Sequence, residues 1–253
     1  MNEGFPETKS NIDALKSEHL KEGAHPIMAS LDSAEKFPLI PHLHDILDVD
    51  LYAGVTEMVN NGFKKEGSED YIISPIDKND KFSHSFANCT GVVVVGLEEA
   101  SGEHISFMSH QNPEYILNEK RARFILDLHH RLEEIRKRCE KGTIDAVMIG
   151  GRYARVKNYG QSDSDRNIFI QEYIDSIKLI SDEIQKNLGF YPVVIGGPKL
   201  SPAYDSVTFD TQERRLHMQR EGKPVLGFLE SFSSHDIETI RKTWNPGEWG
   251  LPI

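Results

Sequence analysis

Cys89 and His110 are the residues whose types and spacing suit covalent chemistry. Cys89 stands just before Gly91, four valines at positions 92–95 and Gly96. A polar turn at Glu98, Glu99, Ala100, Ser101 and Gly102 follows, and the segment from His104 to His110 runs back. Facing residues of an antiparallel hairpin have a constant sum. A turn centred between Glu99 and Ala100 gives 199, which sets Cys89 opposite His110 and His104 opposite Val95, at the far end. His110 is then the histidine within reach of the thiol.

A thiol ionises near pH 8.5 on its own, about, and needs a neighbouring base or cation to act as a thiolate at neutral pH. With His110 as that base, the thiolate would attack an amide carbonyl. The imidazolium would protonate departing ammonia, and water activated by the same ring would hydrolyse the thioester. Such a ring needs an orienting group, for which Ser83 and Ser85 lie just upstream, and backbone amides at the Cys89 turn would have to hold the oxyanion. Cysteine is also commonly buried for packing alone, so the spacing by itself leaves a structural role open for both residues.

The elements that must position this pair are legible as patterns. The valine run predicts a strand buried on both faces, in the middle of a sheet. Leu51 to Val55 and Tyr71 to Ile73 read as earlier strands, with an exposed insertion between them. Pro113 opens a helical pattern carried by Leu117, Phe124, Leu128, Leu132, Ile135 and Cys139 up to Gly142, with Asn112 as its cap. Ile144 to Ile149 reads as a strand ending in Gly150 and Gly151. A second long helix starts at Asp163, Ser164 and Asp165 and buries Ile170, Tyr173, Ile174, Ile177, Ile180, Ile184 and Leu188. Strands at Tyr191 to Ile195, Ser206 to Phe209 and Arg215 to Met218 follow, then a helix around Asp236 to Trp244. Residues 1–44, with a weak helical pattern from Ile12 to Leu20, read as an extension, and 45–253 as one domain.

Composition narrows the function classes. The chain has 253 residues, 38% hydrophobic and 27% charged, enough for a substantial core and unlike a disordered segment. A net charge of -11 disfavours binding to a phosphate backbone. No apolar stretch approaches the roughly 20 residues that span a bilayer, and residues 1–20 lack the pattern of a signal peptide, so a cytoplasmic location without membrane insertion is expected. Two cysteines build no disulfide framework.

Other candidate signals have plainer explanations. His42, His44 and Asp45 lack a second ligand cluster at a metal-binding spacing, so no metal and no cofactor is expected. His129 and His130 are adjacent on a helix and diverge by about 100 degrees. Gly196, Gly197 and Pro198 match no phosphate-binding fingerprint. Cys139, four residues after Ile135, reads as a packing cysteine. Asn88, Thr90, Gln111, Gly150 and Gly151 are the expected substrate contacts around the pair.

The stretches Asn88 to Val95, Phe107 to His110 and Val147 to Gly151 resemble the chemoreceptor glutamine deamidase CheD family. There a cysteine begins a buried strand, a histidine sits on the returning strand, and a later strand ends in Gly-Gly. A weaker similarity extends over about residues 50–220, including the strand pair at Val207 to Asp210 and Arg215 to His217. The protein N-terminal asparagine amidohydrolase family is similar too, with Thr-His comparable to Ser109-His110. Both resemblances imply an α/β fold: a mixed, largely antiparallel β-sheet sandwich with two long helices packed on it. They also imply Cys89 as nucleophile, His110 as base, Ser83 as orienter and a protein or peptide carboxamide as substrate. The first adds deamidation of glutamine in chemotaxis. The sequence departs from the CheD pattern with Ala87-Asn88 in place of Gly-Ser, Ser83 in place of threonine, and a longer hairpin.

Overall fold

Four consecutive β-branched residues favour extended backbone, and a computed structural model of the chain places them in its central strand. The structure describes residues 11–12, 17–32, 46–48, 71–86, 88–150, 163–196 and 204–221. In chain order the strands are β1 (Asn11–Ile12), β2 (Met28–Asp32), β3 (Ile46–Asp48), β4 (Tyr71–Ile73), β5 (Asp80–Phe86), β6 (Thr90–Leu97), β7 (His104–Gln111), β8 (Asp145–Gly150), β9 (Val193–Gly196), β10 (Tyr204–Asp210) and β11 (Arg215–Glu221). The helices are α1 (Pro113–Leu117), α2 (Arg121–Arg138) and α3 (Asp163–Leu188).

The strands form two mixed sheets, neither closed into a barrel. One has the order β4-β7-β6-β8-β9 and the other β1-β2-β11-β10-β5-β3. Alternation along β6 divides its valines between two cores. Val92 and Val94 pack with Phe124, Leu128, Leu132 and Ile135 of α2 and with Ile177, Ile180 and Ile184 of α3. Val93 and Val95 pack with Val207, Phe209, Leu216 and Met218 of the second sheet. The β6 sheet is therefore a middle layer, with helices on one face and a sheet on the other. Its strand is fully buried from Thr90 to Gly96.

The hairpin β6–β7 has a register sum of 201, with Gly91 opposite His110 and Leu97 opposite His104. The turn is centred one residue later than the sequence suggests. The Gly102 amide donates to the Glu98 carbonyl while Gly102 itself takes φ +69°, which lengthens the return. Because the partner shifts by two residues, every side chain keeps its face.

The long helix expected from Pro113 is two helices. Asn112 caps α1 as expected, its side chain accepting from the Glu114 amide at 3.1 Å with Pro113 in the first turn. The chain leaves helical geometry at Asn118 and resumes at Arg121, and Cys139 closes α2. Asp163 does begin α3. Parts of the segment read as an extension are built into the fold. β2 pairs in parallel with β11, and β1 pairs antiparallel with β2, while Ser17–Leu20 is turn rather than helix. Strand β5 has no counterpart in the sequence reading, because its inward positions include the polar Lys81 and Ser83, both fully buried. The strand expected at Leu51 to Val55 and the helix around Asp236 to Trp244 lie outside the described residues. Among those described, no helix is long and apolar enough to cross a membrane.

Candidate active site

The site lies between the two sheets, where the second sheet supplies Ser83 and the middle sheet supplies His110. Ser83 Oγ is 2.9 Å from His110 Nδ1, and both side chains are fully buried. Cys89 immediately precedes β6 and is 7% exposed, packed in the same inter-sheet cluster as Val93 and Phe86. Since His110 faces Gly91, Cys89 is its diagonal neighbour on the same face, two residues before the facing position. The pair expected to face each other directly is thus offset by one step of the pleat.

A local irregularity makes the arrangement possible. Along β5, Ser83 pairs with Val207 but Phe86 pairs with Asp205, so three steps on β5 match two on β10. In a regular strand, residues 83 and 86 would point to opposite faces. The bulge brings both inward. Ser83 then meets the edge of the imidazole, and the Phe86 ring stacks on it with centroids 4.1 Å apart and planes within 17°.

Two glycines leave room for that ring. A Cβ at Gly91 would lie 2.6 Å from the Ser109 carbonyl oxygen and 2.8 Å from Phe86 Cε1. A Cβ at Gly150 would lie 2.5 Å from the Cys89 carbonyl oxygen and 2.8 Å from Phe86 Cδ1. Gly150 also takes φ +79°, a left-handed conformation at the end of β8. Its part is to let the backbone of the Cys89 turn approach, a packing reason for the first member of the expected Gly-Gly pair. Gly151 lies outside the described residues.

No protein-family model matches this sequence, and no curated protein matches it.

The other expected substrate contacts divide between the faces. Asn88 is exposed beside Cys89. Thr90 and Gln111 are direct partners whose alternation puts them on the helix-facing side with Val92 and Val94, away from the imidazole. Gln111 Nε2 donates to Thr90 Oγ1 at 3.1 Å, and both side chains are fully buried. Any contact of Thr90 with a substrate at Cys89 would therefore come from its backbone. Ser85 lies within β5, and its side chain lies outside the described residues, as do His42, His44 and Asp45. Among the described residues, no three His, Cys, Asp or Glu side chains cluster as metal ligands.

Sequence reasoning missed Phe86 and Gly91. The signal for Gly91 was available, since a glycine opening a valine run marks a close approach. The signal for Phe86 was hidden by the bulge. Nearby in the same layer, burial pushes the pKa of Lys81 down, opposed by the Asp77 carboxylate 2.7 Å from its ammonium.

Proposed function

We propose that this protein is a cysteine-dependent amidohydrolase that deamidates a glutamine side chain of a protein substrate, using a CheD-like arrangement of Cys89, His110 and Ser83. The observation that carries the reading is the contact between Ser83 Oγ and His110 Nδ1 across the two sheets, at 2.9 Å, with Cys89 beside His110 on the same face. With Nδ1 engaged by Ser83, Nε2 is the nitrogen that exchanges a proton with the thiol. The Cys89 proton passes to Nε2 and the thiolate adds to the amide carbonyl. Collapse of the tetrahedral intermediate expels ammonia, which takes the proton back from the imidazolium and leaves a thioester. Water then attacks the thioester as His110 removes its proton, and the Cys89 thiol is regenerated with a carboxylic acid as product. When the imidazolium forms, its Nδ1–H donates to Ser83 Oγ, which fixes the ring through both half-reactions.

The preference for glutamine rests on the β10–β11 pair, which is similar to the C-terminal strand pair of the CheD family. The reading is tested by incubating the full chain with glutamine-containing receptor peptides and with peptides that begin with asparagine. Ammonia release from the first, lost in Cys89→Ala, is the expected result. Release only from the second would transfer the same chemistry to an N-terminal asparagine. No release from either, with Cys89 no more reactive than a free thiol, would make the fold a binding scaffold.

A further inference from the structure

We infer that Phe86 is a positioning residue of this site, whose ring lies face to face with the His110 imidazole, fixes its plane and favours its protonated form. The inference rests on the Cys89–His110 reading given above. Three separate features of the chain converge on this one ring. The bulge in β5 turns Phe86 to the side on which Ser83 already points. Gly91 and Gly150, on adjacent strands, vacate the volume that the ring fills. A bulge interrupts a ladder, and a glycine within a strand such as Gly91 gives up the packing of a side chain. A ring needed only to fill space would be satisfied by a regular strand with ordinary side chains opposite it.

The stack serves a neutral imidazole as an offset pair and, once that ring is protonated, serves a cation on the face of Phe86. Two neutral aromatic rings prefer an edge-to-face or offset arrangement. A cation within about 6 Å of a ring centroid is attracted to its face. The 4.1 Å centroid separation and 17° tilt place a protonated imidazole on the ring's negative face. The Cys89 proton is accepted by His110, so a face that favours imidazolium also favours the thiolate that forms with it. Ser83 supplies the matching in-plane contact at Nδ1. Between them, an oxygen and a ring restrict both rotation and tilt of one imidazole.

Among the described residues, the buried titratable side chains around this layer besides His110 are Cys89, Lys81 with its partner Asp77, Asp205 opposite Phe86, Asp145 on β8 and Arg214 between β10 and β11. All are unchanged in variants at position 86, so a shift there reports on the ring. The test follows alkylation of Cys89 by iodoacetamide against pH, by mass spectrometry on the intact chain. Phe86→Leu is expected to lower the rate at about pH 6 by roughly tenfold and to move the titration upward by about one unit. Pentafluorophenylalanine in place of Phe86 keeps the shape and reverses the ring's charge distribution, so it keeps the proposal testable should the leucine variant fail to fold. It is expected to give the same shift. Val93→Ala, in the same core, should lower stability and leave the titration in place. An unshifted titration in the fluorinated protein, or an equal shift in Val93→Ala, overturns the role of Phe86 while the Cys89–His110 reading stands. A wild-type Cys89 whose reactivity does not change in His110→Ala overturns the underlying reading instead.

Discussion

The two cysteines occupy opposite ends of β6 and opposite faces of the middle sheet. Burial does not distinguish them, since Cys89 is 7% and Cys139 4% exposed. Each has a glycine of β6 nearby, but the glycines make room for different things. A Cβ at Gly96 would lie 2.7 Å from Cys139 Sγ, so that glycine accommodates the thiol itself within the helix-facing core. Gly91 accommodates a ring that lies on a histidine. The thiol of Cys139 is pushed up to about 12 by burial, which keeps it neutral at any physiological pH. Burial alone keeps Cys139 neutral, and on the function proposed above the imidazole beside Cys89 is what would set that equally buried thiol apart.

The sharpest way to break this contrast is to remove each thiol in turn. Cys89→Ala should reduce ammonia release by at least about a thousandfold, the scale seen when a covalent nucleophile is deleted. Cys139→Ala should leave it within about twofold. Equal losses from both would mean that the activity tracks core packing. His110→Ala comes next, with an expected loss of roughly a hundredfold to ten-thousandfold in turnover. In that variant, alkylation of Cys89 should need a higher pH than in the wild type, because a buried thiol has lost its base. A smaller effect belongs to Ser83→Ala. Loss of the oxygen at Nδ1 should cost about tenfold in turnover with little change in KM, because the serine holds the base and touches no substrate.

Much of this arrangement was readable from residue types because it depends on periods. The valine run, the hairpin, the apolar stripe of α2 and the capping of α1 by Asn112 each follow from local pattern, and the structure contains them. Cys89 and His110 kept their common face although the turn is centred one residue later, since a two-residue change of partner preserves alternation. What was not readable depends on departures from period. The bulge between Ser83 and Phe86 has no signature in the composition of β5, and the polar Lys81 and Ser83 conceal that strand altogether. Thr90 and Gln111 were expected at the site because they adjoin Cys89 and His110 in sequence, and parity puts them on the other face, since neighbours along a strand point to opposite sides. The segment 17–32 escaped for another reason. Its attachment is tertiary, through Ser17 Oγ and the Ile27 amide, which donate to the Asp145 carboxylate at 3.0 and 2.9 Å.

The smallest effect sharpens the comparison from the side of the inert cysteine. Folding raises the Cys139 thiol from its ordinary value near 9.0 to about 12, so the unfolded chain releases this proton first as pH rises. Between those two values the folded state binds more protons than the unfolded state. Its stability must therefore fall with pH, by at most about 1.4 kcal/mol per unit from this one group. Below pH 9, or roughly there, the contribution is fully present, and it is lost as pH approaches the folded value. Urea unfolding of the wild type and of Cys139→Ala from about pH 8 to pH 11 isolates the term, because lysines and tyrosines titrate in both proteins. The difference between the two stabilities should be constant below about pH 8.5 and then shrink in the alkaline range. A difference that stays constant throughout would mean that Cys139 ionises as readily in the folded chain as in the unfolded one, and burial would not be what keeps this cysteine neutral.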